Sequence, residues 1–554
     1  MKKFLALILS LAMLLSLAAC SSNADTGTAA PTEGAGTESA QGQETDGGEG
    51  EAADTSDIYG GAAVQEGGTF VIGASGDPQS FNPDYLSDDY LWPIAQNMFN
   101  RLVKLTTEDT VIPDLAESYE FSEDGMTLTF HLREGVKWHD GVDFTSADVK
   151  WTYDTIIAES WNKSTSLESV ESIECPDDNT VVFNLKTPDV TIISKLGWYG
   201  LFILPQHLYE GQDPATCEAA TTNPVGTGPF KFESYETGVG VTLVKNEDYW
   251  GDEPNPDELI FAIYSDQDSM YQAFLNGEID VMGSSVPVAN VGDLDGDDAY
   301  RTFTQLAQNR TYITFNFSDP DFSKVEVRKA IELAIDREGI FTRVGGAGAA
   351  SEYYVSPLQT DYVDENITIP DRNVEEARAL LESAGYTLDA DGYYLHATLD
   401  GFESGNFSDI AQIVKANLAE AGIDLTINMM EYSAWGDKVK VNQNFSITML
   451  AGYQGPDISG LAGRIQSDGS SNFGGYSNER VDELFALSNV ETDVTQRAAY
   501  YSEIQQIMAD EVPMVFLLEN GGEYAFPNNV LGTPYDLPEL AASSEYTYLA
   551  FTAE

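Results

Sequence analysis

Gly226-Thr227-Gly228 is the first place where residue types and spacing suggest chemistry, because glycine-rich loops cradle phosphates. Such a loop ends in Lys-Ser or Lys-Thr and opens a helix. Here Pro229-Phe230-Lys231-Phe232 follows and alternates like a strand, so no helix N-terminus faces an anion. The glycines read instead as turn residues that supply positive φ. The stretches GASGD and DGSSNFGG place Ser near Gly, but not at the spacing of a nucleophile elbow. His139 beside Asp140 offers an acid–base pair. Chain neighbours at a turn cannot easily orient one another's rings, so the pair reads as structural. The chain has four His (His131, His139, His207 and His396), and none falls in a zinc-binding pattern. Asp293 to Asp298 begins like a calcium loop but lacks Gly at position six and Glu at position twelve; Asp389-Ala390-Asp391-Gly392 is likewise a turn. The expectation is a protein that is not an enzyme, with no cofactor and no dedicated metal site.

Aromatic residues are more suggestive. Tyr432, Trp435 and Tyr453 lie in irregular stretches near expected strand ends, as do Trp198 and Tyr199. Aromatics at strand ends between two lobes suit a ligand cleft. Any one of them, taken singly, also fits ordinary core packing.

The elements that position these residues follow from periodicity. A strand is expected at 69–72, leading into a Pro-bearing loop. Leu128, Phe130 and Leu132 alternate as in a strand, and Asp140-Gly141 is a turn signal. Thr145 or Ser146 caps a helix that carries Val149, Tyr153 and Ile156 on one face. NTVVFNL is another strand. Phe230 and Phe232, then Glu236-Thr237-Gly238, then Val241, Leu243 and Lys245 describe a hairpin. The next helix groups Met270, Phe274 and Leu275, ends near Gly277, and gives way to a strand at 279–282. TYITFNF is a strand, and VEVRKAIELAIDREGI is an amphipathic helix with Val327, Ile331, Ala334 and Ile335 on one stripe. Asn373 to Glu376 forms a capping box, with Gly385 as the stop. A helix, a Gly break and the alternating Ile423, Leu425 and Ile427 make an α/β unit. A last helix precedes the strand VPMVFLL. There is no fixed-period repeat.

The N-terminus carries a second kind of signal. Met1-Lys2-Lys3 is basic, Phe4 to Leu17 is almost wholly apolar, and Leu17-Ala18-Ala19-Cys20 follows. This is the layout of a secretory signal peptide. Its apolar run is short for a span of ~20 residues, which disfavours an uncleaved anchor helix. From Ser21 to about Glu66 the chain is small and acidic, has no Lys, Arg or Trp, and Tyr59 is its only aromatic. It buries too little apolar surface to offset its ordering entropy and reads as a disordered stalk. The rest is too long for one core, so two or three domains are expected. Lys and Arg number 27 against 91 Asp and Glu, a net charge of −64. That balance excludes nucleic acid as partner, since a phosphate backbone needs a basic face. It favours cationic ligands by long-range attraction, or simply keeps an exported protein soluble. Cys175 and Cys217 can pair outside the cytoplasm or stand as two small buried thiols.

Five stretches, in order, carry a resemblance: FHLREGVKWHDGVDFTSADVKWTYD, NPVGTGPFKFESYETGVGVTLVKNEDYW, NGEIDVM, ITFNFSDPDFSKVEVRKAIELAIDREGI, and GGYSNERVDELF with YSEIQQIMADEVPMVFL. They resemble the large extracytoplasmic solute-binding proteins of ABC importers, family 5, the oligopeptide-, dipeptide- and nickel-binding group. The Leu-Ala-Ala-Cys motif likewise resembles the bacterial lipobox, which implies cleavage after residue 19 and lipidation of Cys20. The resemblance implies an α/β, two-lobed periplasmic-binding-protein-like fold (type II, cluster C) with an extra domain inserted in lobe one. After the signal peptide at 1–19 and the linker at 20–66, lobe one takes 67–88, 223–306 and 517–554. The inserted domain takes 89–222, and lobe two takes 307–516. The implied function is ligand capture by hinge closure and delivery to a membrane permease. The implied partners are an oligopeptide or dipeptide, the ABC permease and ATPase subunits, and the membrane through the lipid anchor. The protein is expected to be a monomer on the extracytoplasmic face. A nickel chelate or other small solute, or a sensory receptor role, is the alternative. Carried onto the stretch AGYQGPDISG, the family pattern makes Tyr453 the aromatic and Asp457 the acid that meets a peptide ammonium. Asn472, Phe473, Trp435, Tyr432 and Tyr354 are the other ligand candidates, and Asn82, Tyr85 and Tyr90 those expected to touch ligand from the side of lobe one.

Overall fold

Alternation of apolar and polar residues builds three main sheets. The computed structural model describes residues 58–107, 110–198, 200–455 and 457–553, with backbone only at Tyr453. The expected leader, Cys20 and most of the stalk lie outside the described residues. Among those described, no helix is long and apolar enough to cross a membrane.

The first sheet has five strands in the order Val281–Met282, Thr69–Ala74, Glu258–Ile263, Gly240–Lys245 and Phe230–Glu236. Thr69–Ala74 runs parallel to both of its neighbours, while the last three strands are antiparallel. The expected hairpin is present, and Gly238 at φ 72° supplies its turn. A four-stranded antiparallel sheet, in the order Ala116–Phe121, Thr127–Leu132, Thr180–Leu185 and Val170–Asp177, arises between the first and second strands of that sheet along the chain. The helix Ser146–Glu159 packs on it. Thr145 and Asp148 form the capping box of that helix, and Val149, Tyr153 and Ile156 are buried, as the sequence predicts. Both sheets share one core, with Phe70 and Phe261 from one and Phe130 and Phe183 from the other.

The third sheet has six strands: Ala349–Ala350, Met514–Pro527, Tyr300–Phe315, Ile447–Tyr453, Leu395–Phe402 and Ile423–Met430. Its helices include Val325–Ala334, Val374–Ser383 with its Asn373 cap, and Phe407–Glu420. Two of its strands are unusually long. Tyr300–Phe315 and Met514–Pro527 pair from Tyr300–Pro527 to Thr314–Met514, with a register shift between Leu306 and Asn309. Phe526 enters the first core, whereas Ile313 and Val515 enter a second. These strands therefore join the two lobes. Where they leave the second core, Arg310 and Glu519 form a fully buried ion pair at 2.6 Å. Ser351 donates to Glu519 at 2.6 Å, and Arg310 lies flat on Phe516 with 3.6 Å to the ring centre. Burial without such partners would cost several kcal/mol per ion.

Some expectations are corrected. Of TYITFNF only Thr311 to Phe315 is strand, the last part of one that begins at Tyr300. The strand after the helix Gln267–Leu275 is confined to Val281–Met282, and Leu275 is exposed although Met270 and Phe274 are buried. Residues 58–66, assigned to the stalk, touch the C-terminus: Tyr59 donates to the Tyr548 carbonyl at 3.0 Å, and Val64 bridges Thr552. Of the two readings of Cys175 and Cys217, separate thiols are what the structure has, and both are half-buried. Neither Gly226 nor Gly228 has positive φ. Glycine is required there for close approach instead, since a Cβ would stand 1.8 Å from the Met98 carbonyl oxygen at Gly226 and 2.6 Å from Met98 at Gly228.

Candidate functional site

Gly226-Thr227-Gly228 is held as a scaffold. Its Gly226 N–H donates to His139 Nδ1 at 3.2 Å, so Nε2 carries the proton and donates to the Gly228 carbonyl at 3.0 Å. Burial pulls the His139 imidazole down to about 4, which keeps this neutral tautomer in place. Thr227 donates to Asn100 at 2.9 Å, and Trp250 donates to the Thr227 carbonyl at 3.1 Å. No side chain here is poised for catalysis. Asp140 meets His207, not His139, at 2.8 Å.

Recognition has a better seat at the carboxyl ends of the parallel strands, where α/β sheets bind ligands. Thr69–Ala74 ends at Ala74 and Ser75, and Val281–Met282 ends at Gly283 and Ser284. These ends line a recess of about 260 Å³ together with Tyr90 and Trp92. A second recess of about 230 Å³ adjoins it and shares Trp92, Tyr524, Tyr535 and Ser543. This one reaches the joining strands at Gln305, Leu306, Ala307 and Gln308. Tyr524 and Tyr535 stack at 4.3 Å. Together they make an aromatic-walled strip at the root of the hinge. Such a strip can hold an extended, polar-backboned ligand. A third recess, of about 460 Å³, lies against the helix Ser146–Glu159 at Trp151 and Cys175. Among the described residues no group of three His, Cys, Asp or Glu can hold a metal ion.

The expected ligand residues fall in several places. Tyr90 lines the first recess and is 43% exposed. Asn82 is buried, and its Oδ1 accepts from the N–H groups of Asp84 and Tyr85 at 3.1 and 3.2 Å. Tyr85 packs edge-on against Trp161 at 5.7 Å. Tyr432, Trp435 and Phe473 gather in one cluster: Tyr432 stacks on Trp435 at 5.5 Å and Phe473 meets its edge at 6.3 Å. The Lys440 ammonium lies 5.0 to 5.6 Å from all three ring centres. Trp435 is fully buried and donates to Thr448 at 3.0 Å, while Tyr432 is exposed. Asn472 donates to the carbonyls of Gln466 and Tyr476 at 2.8 and 2.7 Å and so closes its own turn. Tyr354 is buried and donates to Glu332 at 3.2 Å; burial pushes that carboxyl up to about 7. Asp457 is ion-paired with Arg497 and accepts from Tyr501 at 2.6 Å and from the Ser459 N–H at 2.8 Å. An incoming ammonium must therefore compete with Arg497 for it. The Tyr453 backbone pairs with Asn309; its side chain, and Tyr199, lie outside the described residues.

Trp92, Arg101, Gln96, Tyr524 and Tyr535 are recess residues that periodicity and motif reading passed over. Tyr524 carried a faint signal, as an aromatic just after the Gly521-Gly522 pair. Trp198, noted among the strand-end aromatics, does line the second recess.

With this geometry in place, likeness to known proteins is informative. A family profile described as "Bacterial extracellular solute-binding proteins, family 5 Middle" matches residues 110–472. The oligopeptide-binding protein AppA of Bacillus subtilis (strain 168) is 28% identical over 491 residues, covering 85% of this chain and 90% of AppA. Its solved structure with a nonapeptide matches with a TM-score of 0.71 at 25% identity, covering 89% of this chain and 100% of that one. The dipeptide-binding protein of Escherichia coli (strain K12) is 27% identical over 488 residues, covering 82% of this chain and 90% of its own. CtaP, an ABC transporter substrate-binding protein from Listeria monocytogenes, matches with a TM-score of 0.78 at 25% identity, covering 88% of this chain and 100% of that one.

Proposed function

The chain belongs to the bacterial extracellular solute-binding proteins of family 5, and on that premise we propose that it captures peptides for an ABC importer. Relatives described as oligopeptide- and dipeptide-binding support peptide as the solute. The observation that carries the reading is the aromatic-walled strip at the strand ends beside the joining strands. The small polar residues Ser75 and Ser284 at the strand ends leave room for a ligand that is itself a backbone, and Tyr90, Trp92, Tyr524 and Tyr535 suit side chains of varied shape.

Capture proceeds by closure of lobe two over this strip. Contacts made in full only in the closed state shift the population towards it. Tyr432 and Phe473 in lobe two, with Tyr453 and Asp457, are the residues proposed to complete the site, Asp457 by exchanging Arg497 for a peptide ammonium. The two lobes and inserted domain take the residue ranges given above. A lipid on Cys20 tethers the chain to the extracytoplasmic face of the membrane, the segment after it acts as a spacer, and the monomer delivers its ligand to a permease driven by an ATPase.

Mass spectrometry of ligand carried through native purification tests the solute class, with thermal-shift screening against peptides, nickel chelates, polyamines and sugars beside it. Peptides are expected in the mass spectrum and among the stabilising compounds. Stabilisation by another class with none from peptides would overturn the reading.

A further inference from the structure

Arg101 is an unusual residue in an acidic chain. It is 4% exposed, yet it lines the second recess. Its guanidinium makes no ion pair among the described residues. It donates instead to two neutral acceptors, Gln96 Oε1 at 3.2 Å and the Trp198 carbonyl at 3.5 Å. It stacks over Phe202 and Trp92, 4.7 and 5.3 Å from their ring centres. Its Nε has no partner, and neither does Nε2 of Gln96, a residue that is 5% exposed and lines the same recess.

The acids around it are engaged elsewhere. Glu545 is bound through both oxygens by Lys104, at 2.9 and 2.7 Å. Asp114 accepts from Asn100 and from the Arg101 backbone N–H, both at 2.8 Å. Asp84 accepts from the Phe202 N–H at 3.1 Å, and burial pushes its carboxyl up to about 8, so it is largely uncharged at neutral pH. Lys163 stands behind Trp198, 4.1 Å from its ring centre, with Asp89 as its own nearby carboxylate. A buried guanidinium bonded only to neutral acceptors is costly unless an anion completes it. A planar fork of donors fits a carboxylate best.

We infer that Arg101 and Gln96 form a carboxylate-binding subsite in the second recess, which takes an anionic group of the captured ligand. The inference rests on the recess being part of the ligand site. It also reverses, locally, the preference for cations that the net charge suggests.

The test is isothermal titration of the purified full chain with three peptide pools of matched length and composition. One has free C-termini and no acidic residues, one is the same pool amidated, and one is amidated with a single Glu. Arg101→Gln and Arg101→Lys variants are titrated beside wild type, after their thermal unfolding has shown that they fold. Loss of one charge-assisted pair should weaken binding roughly ten-fold or more. The free-acid or the Glu pool should therefore bind that much tighter than the neutral amide pool, and Arg101→Gln should abolish the difference. Preference for the free-acid pool assigns the subsite to the C-terminus, and preference for the Glu pool assigns it to an acidic side chain. Equal binding of all three pools to wild type overturns the subsite while leaving peptide capture intact. Should no pool bind, the peptide reading fails, and glutarate against glutaramide decides the subsite. Stabilisation by glutarate alone, lost in Arg101→Gln, supports it; no difference between the two overturns it.

Discussion

His139 shows how a single side chain can look catalytic and be structural. Its two ring nitrogens are spent on Gly226 and Gly228, and its tautomer is fixed by them. The ordinary imidazole value is 6.5, and burial holds it near 4 in the fold. The unfolded chain therefore takes up a proton first as pH falls. The stability this neutral histidine contributes is complete above 6.5 and is lost as pH drops towards 4. The residue is partly exposed, which screens part of the effect. Between pH 7 and pH 4.5 wild type should lose on the order of 2 kcal/mol through this group. A His139→Gln variant should be less stable at pH 7 and show a flatter pH dependence. Denaturant unfolding of both proteins across that range measures the difference, and parallel curves would refute the assignment.

The elements were legible where their signals are local. Caps at Thr145 and Asn373, the hairpin turn at Gly238, and the stripe of Val327, Ile331 and Ala334 follow from spacing alone and stand in the structure. The joining strands were not legible at full length. Met514–Pro527 runs through Gly521-Gly522, a pair that normally breaks a strand. Tertiary packing explains it. A Cβ at Gly521 would stand 2.3 Å from the Ala347 carbonyl oxygen and 2.7 Å from that of Gln305, so two other segments press against the strand there. Gly521→Ala should therefore cost about 1–3 kcal/mol, as overpacking does. A lower thermal unfolding midpoint, with weaker ligand binding because the clash lies at the hinge, is the expected outcome. An unchanged midpoint would show that the hinge backbone yields freely.

At the scale of the whole molecule, two cores joined by two strands predict a closing motion. Small-angle scattering should give a smaller radius of gyration when a bound ligand is present than after it has been removed by unfolding and refolding. No change on binding would argue against hinge closure. The sequence by itself determined the α/β class, the order of most elements and the family, because caps, turns and hydrophobic periods are local and survive reading in one dimension. It did not determine the recess. Arg101 and Gln96 from one segment meet Trp198, Gln305 and Tyr524 from three others far along the chain, and they share no motif. Only the tertiary structure decided that they meet. Only it showed that Asp457 is held by Arg497 while no carboxylate among the described residues pairs with Arg101, because a buried charge is defined by the partners that folding brings to it.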